Sequence, residues 1–256
     1  MYLEIILDFI SGVYDSMRID ILYNMLLDSK IKKIILAICS VNFLMYFIPA
    51  LLVSIVEYIF DMPLQLFLDI ISYPIGVFSL FFHLFNYLTL INTIPCEPID
   101  PNAKSTIIDS YSLAITMTVY NFVVYFTNYI VNYIFHYRMY VVAILINFSI
   151  ITMYHSFYCF NNLWQRKRIS EFHRIDMCEK LWPYYVGYGI VPSIIYMYTN
   201  YRYVLGLYNI YITLIICFPF YLKIKIPTKI PAYPNINLNI ISYITKLFVT
   251  SIKKLV

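Results

Sequence analysis

Residues 156–189 read SFYCFNNLWQRKRISEFHRIDMCEKLWPYYVGYG, and this stretch decides how the rest of the chain is read. Apolar sequence flanks it on both sides, while 161–181 holds the densest cluster of charge in the protein. That segment has the form of a helix leaving a membrane: Lys167 with Glu171, Glu171 with Arg174 and Asp176 with Lys180 stand at spacings that pair on one helix face. Trp164 and Trp182 bracket it where amphipathic rings favour the headgroup region. Pro183 suits the first turn of the next helix. Gly189 and Ser193, four apart, would let a neighbouring helix approach closely.

The composition agrees. Of 256 residues, 61% are hydrophobic, 19% aromatic and 12% charged, whereas a soluble domain carries about 25% charge. The net charge of +4 is not gathered into basic runs interleaved with aromatics, which argues against nucleic acid as a partner. Most of it lies beside apolar segments, as orientation signals do. The opening MYLEIILDF has acids where a signal peptide needs positive charge, so insertion by internal segments is expected. Five scattered cysteines suggest no disulfide framework.

Along the chain, 1–33 forms an amphipathic N-terminal helix with Ile6, Ile10, Val13, Met17, Ile21 and Met25 near helical spacing, suited to the membrane interface. Four long apolar stretches follow as crossings, each close to the ~20 residues a span needs: 34–60, kinked at Pro49; 74–94, after a short interfacial turn; 107–135; and 139–160, paired with the third as a hairpin. Beyond the cytoplasmic loop 161–181 come 182–198, which contains Gly187, Gly189 and Pro192 and is able to dip rather than cross, and 203–222. The basic tail 223–256 ends in a second amphipathic segment. With both termini cytoplasmic, every lysine and arginine except Arg138 and Arg202 falls on the cytoplasmic side. The expected fold is all-α: one polytopic membrane domain, 1–256, of about six hydrophobic helices with interfacial helices at both ends.

At Tyr158-Cys159-Phe160, Trp164, Arg174, Glu179 and Trp182-Pro183-Tyr184-Tyr185 with Gly187 and Gly189, the chain resembles the etoposide-induced protein 2.4 family, eukaryotic relatives of the CysZ-type sulfate permeases. A weaker echo lies in Gly12 with Asp15-Ser16 and in Phe47-Ile48-Pro49. The resemblance implies a multi-pass protein of the endoplasmic reticulum or continuous nuclear envelope, linked in animals to autophagy, and among bacterial relatives to sulfate uptake. Where eukaryotic members carry an acid after the Tyr-Cys-Phe triplet, this chain has Asn161.

Two polar stripes run through the apolar segments: Asn121, Tyr125, Asn128, Asn132 and His136 on the third, His83 and Asn86 with Gly76 and Ser79 on the second. They form either interhelical hydrogen-bond seams or a hydrated path for an anion. His155 and Cys159, four apart, are a pair of metal-ligand types without a third, and a hydrogen-bonded buried histidine is the alternative. No phosphate loop, nucleophile elbow or dinucleotide glycine pattern occurs, so no catalytic, cofactor or metal residues are assigned. The expected partners are the lipid bilayer and other membrane proteins of the endoplasmic reticulum or of autophagy, with homo-oligomers open. The expected function is non-enzymatic, in autophagy or membrane homeostasis. The alternatives are a small-oxyanion permease and a lipid-remodelling or tethering factor using the amphipathic ends.

Overall fold

The structure, a computed structural model, describes residues 2–60, 89–96, 122, 125–126, 129–134, 140–169, 171–199, 202–222 and 233–235. Among them all regular structure is helical. The tail 236–256, expected to be interfacial, most of the second and third apolar segments, and His83, Asn86, Asn121, Asn128 and His136 lie outside the described residues.

The N-terminal segment is two helices rather than one, α1 (Tyr2–Ser16) and α2 (Ile19–Leu27). Arg18 between them has extended backbone, ψ 97°, and its guanidinium is held by Asp20. The expected apolar stripe splits with it. Ile21 and Met25 of α2 are buried, whereas Ile6 and Ile10 of α1 are 53% and 55% exposed. Asp28 then caps α3 (Ser29–Asn42), its carboxylate accepting from the Lys30 and Ile31 amides at 2.8 and 3.2 Å, which satisfies donors a helix start leaves open.

A five-residue π turn, Phe43–Phe47, joins α3 to α4 (Ile48–Phe60). Pro49 sits just after it. The wider turn takes the Ile48 amide to the Phe43 carbonyl and makes room where a proline ring would otherwise press on the carbonyl four residues back. The expected proline kink is therefore absorbed as a π turn inside one helical rod, Ser29–Ile59, 31 residues long. At ~1.5 Å per residue that is about 46 Å, more than the ~30 Å of hydrocarbon.

The later helices are α5 (Tyr140–Arg166), α6 (Glu171–Lys180), α7 (Trp182–Met197) and α8 (Arg202–Ile215), followed by a 3-10 turn, Phe218–Phe220. The segment expected to leave the membrane from 161 is thus cut in two, with Asn161, Asn162 and Trp164 still inside α5. The cut is a Schellman stop: Ile169 N–H donates to the Trp164 carbonyl and Arg168 N–H to that of Gln165, each at 2.9 Å. Arg168 takes the left-handed position, φ 59°, where glycine is usual. Without a glycine there, the stop is not visible in the sequence.

The chain forms two compact units: Met1–Met17 with Cys96–Ser193 and Leu222–Val256, and Arg18–Pro95 with Ile194–Tyr221. In the second, α8 packs on α3 and on the π turn, seating Gly206 over Tyr46 and Phe47. Ile31, Ile35, Ile38, Leu90, Ile94, Ile215 and Ile216 are buried there. The other face of the rod is bare, with Leu36, Phe43, Leu44, Leu51, Leu52 and Ile55 between 45% and 57% exposed.

Candidate functional site

In the first unit, α1, α5 and α7 meet along a seam of small residues. A side chain at Gly12 of α1 would land on the Tyr184 carbonyl, and one at Gly187 of α7 on the Phe9 carbonyl. The two glycines are therefore reciprocal, each giving way to the other helix's backbone. Gly189, on a different face of α7, lies against the Thr152 carbonyl and the Ser156 hydroxyl of α5. Helix α7 is held by backbone contact on two sides, and its glycines serve packing.

Hydrogen bonds fix the register. Ser156 Oγ donates to the Tyr185 carbonyl. Ser193 Oγ donates to the Gly189 carbonyl at 2.7 Å and meets His155 Nδ1 at 2.8 Å. Since the serine has one proton, the imidazole carries its own on Nδ1. His155 is thus bonded across helices through Nδ1, and Cys159, one turn on, is fully buried. The sequence signal for the seam was the Gly189 and Ser193 spacing. The identity of the facing residues was not legible, because α5 and α7 are separated by the whole of α6.

Aromatic rings fill what the glycines leave. Phe160 is ringed by Tyr184, Tyr185, Tyr188 and Trp164 at centroid distances of 4.8 to 6.1 Å, and Trp164 meets Phe157 and Tyr185 edge-on. Trp164, expected as an interfacial anchor, is 1% exposed. Its ring is core because α5 runs on past 160 and carries it under α7. Tyr158, one residue before the buried Cys159, is half-buried and stacks on Tyr154. Trp182 is half-buried, its indole donating to the Pro234 carbonyl at 3.2 Å and meeting Tyr233 edge-on. Pro183 falls in the first turn of α7, as its missing N–H favours.

Two carboxylates of α1 tie it down. Asp15 accepts from Tyr184 Oη at 2.9 Å and Asp8 from Tyr233 Oη at 2.8 Å. The weak echo at Gly12 and Asp15 and the strong one at Tyr184 and Gly187 are therefore one contact. Asp8 and Tyr233, 225 positions apart, carried no signal in sequence. Burial first, then the bond to Asp8, holds the Tyr233 hydroxyl well above the ordinary tyrosine value of 10.0. A raised folded-state value means the contact contributes fully below pH 10 and is lost as pH climbs through the higher value. Tyr233→Phe should accordingly take one residue's share out of the tyrosinate absorbance that appears late in an alkaline titration. A late amplitude unchanged by the substitution would contradict the contact.

On α6, Arg174 is 8% exposed. Its Nε donates to the Ile169 carbonyl and its Nη1 to Asn161 Oδ1, both at 2.8 Å. Of the expected helix-face pairs, Asp176 and Lys180 meet at 2.7 Å; the side chain of Glu171 is outside the described residues. Glu179 is half-buried beside Cys178, whose thiol is raised well above its ordinary value, by burial first and by that carboxylate second. Of the polar stripes, Tyr125 is 64% exposed, and Asn132 accepts from Asn147 Nδ2 of α5 at 2.9 Å.

The sequence is 40% identical over 255 residues to uncharacterized protein L211 of Acanthamoeba polyphaga mimivirus, covering 98% of this chain and 96% of the relative. The chain belongs to the family of that protein. No family model and no solved structure matches. Because the match to L211 runs nearly end to end, it takes in both the clasp of α1, α5 and α7 and the long apolar rod of α3 and α4.

Proposed function

We propose that the protein is a non-enzymatic multi-pass protein of the endoplasmic reticulum membrane, acting in autophagy or membrane homeostasis, with its termini in the cytoplasm. The observation that carries the membrane part is the inverted face of α1. At 3.6 residues per turn, Leu3, Ile6, Leu7, Ile10 and Tyr14 share roughly a third of the helix circumference, and all are 53% to 68% exposed. Gly12 and Ser16 are buried and Asp8 and Asp15 point to tyrosines. A helix in water turns its carboxylates out and its leucines in. Covering the four aliphatic side chains with lipid would recover about 4 kcal/mol, at roughly half the burial value of each.

The rods add to this. Two helices, Ser29–Ile59 and Val141–Arg166, are long and apolar enough to cross a membrane, and only 22% and 33% of their most apolar windows are buried within the protein. Core helices of a soluble domain would be largely covered. The organelle and the autophagy role rest on the resemblance at 156–189.

A permease for a small oxyanion needs a wet path. Across the seam of α5 and α7, His155 bonds to Ser193 and Ser156 to the Tyr185 carbonyl, direct bonds that favour a packed scaffold. Expressed with a fluorescent tag in a eukaryotic cell, the protein should resist alkaline carbonate extraction and follow the endoplasmic reticulum. Recovery in the cytosolic fraction would overturn the membrane reading, and normal autophagosome maturation after its deletion would overturn the role. Labelled sulfate entering liposomes that contain it would shift the reading to transport.

A further inference from the structure

We infer that the start of α3 is a docking surface for an acidic phospholipid, its anionic headgroup on Lys30, Lys32 and Lys33 and its acyl chains along the bare face of the rod. The first observation is three ammonium groups with nothing beside them to neutralise their charge. All three lysines are exposed, and among the described residues none of their side chains has an ion-pair or hydrogen-bond partner. Residues 29–56 contain these three cations and no carboxylate. The nearest acid in the sequence, Asp28, is turned to the helix start, where it accepts from the Lys30 and Ile31 amides. Like charges this close repel one another until an anion arrives.

The second observation is independent and lies in where the lysines stand. Helix α3 buries Ile31, Ile35 and Ile38 along one stripe. At 3.6 residues per turn, Lys32 and Lys33 fall on the opposite side, flanking the line of Leu36 one turn before it. Leu36 opens the bare face of the rod and Ile55 closes it. Between them the face runs about 28 Å at ~1.5 Å per residue, close to the ~30 Å of hydrocarbon. The lysines therefore stand just beyond one end of a span-length apolar face, at headgroup depth. Tyr58, 91% exposed, stands just past the other end, where amphipathic rings favour the opposite interface.

A soluble anion would gain nothing from the apolar face, and a neutral lipid nothing from the lysines. An acidic phospholipid uses both, its phosphate on the ammonium groups and its chains on Leu36 and the residues below. In the proposed topology the lysines are cytoplasmic, on the side whose leaflet carries anionic lipids. This lipid preference rests on the membrane reading, which by itself requires none.

The full chain, purified in detergent, would be mixed with equimolar phosphatidylserine and phosphatidylcholine and the bound lipids counted by native mass spectrometry. A preference of at least about tenfold for phosphatidylserine is expected, since each lysine near the surface is worth about fivefold. Lys30→Gln, Lys32→Gln and Lys33→Gln together should bring the two lipids to parity with no fall in thermal midpoint, as for exposed sites generally. Arginine at all three positions should keep the preference, and Lys180→Gln on α6 should leave it as in the parent. Glycerophosphoserine, the headgroup without chains, should not displace the lipid. Equal binding of the two lipids by the parent, or a preference that survives the three glutamines, overturns the inference. Displacement by glycerophosphoserine overturns it too, by making the surface a site for soluble anions. Flotation with phosphatidylcholine liposomes tells the two readings apart. A chain that floats and shows no preference loses only the lipid docking, and one that stays monodisperse without detergent loses the membrane reading and the docking with it.

Discussion

Gly189→Ala is expected to lower the thermal midpoint by about 10 °C, whereas a solvent-facing helical glycine would gain about 1 kcal/mol from the same change. The added methyl meets the Thr152 carbonyl and the Ser156 hydroxyl. A carbonyl in mid-helix cannot swing aside as a flexible side chain can, so α5 and α7 must separate. That strains the bonds of Ser156 to Tyr185 and of His155 to Ser193, and it loosens the rings around Phe160. Overpacking of this kind costs about 3 kcal/mol, which in a chain of this size is about 10 °C. Thermal unfolding followed by tryptophan emission in detergent measures it directly, since Trp164 lies among those rings. A midpoint equal to or above that of the parent would mean that the helices are not in backbone contact at Gly189.

Leu44→Asp should reduce membrane insertion of the Ser29–Ile59 rod by about 2.5 to 3.5 kcal/mol, a factor of roughly 100. Leu44 stands at the middle of the rod and is 57% exposed. Were that face in water, an aspartate there would change stability by only about 0.5 kcal/mol, as ordinary surface substitutions do. The same residue thus separates the two solvents by the size of the effect. The measurement is the fraction of the Ser29–Ile59 segment that inserts when it is carried in a reporter with a glycosylation site on each flank, with Leu44→Met as the volume control. Equal insertion of Asp and Met variants would remove the rod from the bilayer.

The helical class and the apolar rods were legible because their signal is local. A run such as 34–60 needs no partner to declare itself, and neither does the first-turn proline at Pro183. Termination was less legible wherever it departed from the usual residue: the break at Arg18 lacks proline and glycine, and the Schellman stop has Arg168 in the glycine position. At Pro49 the sequence declared a disturbance, but the π turn that absorbs it depends on the whole preceding turn.

Of the candidate site, the motif residues were visible and their work was not. Trp164 looked like a headgroup anchor because tryptophan has an amphipathic ring, and only the length of α5 makes it core. His155 offered a metal-ligand pattern with Cys159, and only the approach of α7 supplies Ser193.

What the sequence by itself determined is solvent preference, residue by residue: apolar rods, a basic elbow and a stock of small residues at helical spacing. What only the tertiary structure decided is which face of each helix points where. Helix α1 shows the reason. Its amphipathic pattern is the same whether its leucines or its carboxylates point inward. The choice was made by Gly12 and Gly187, which admit backbone to backbone on one face, and by Tyr184 and Tyr233, whose hydroxyls give Asp15 and Asp8 their bonds. Those partners lie more than 160 positions away, beyond the reach of any local pattern.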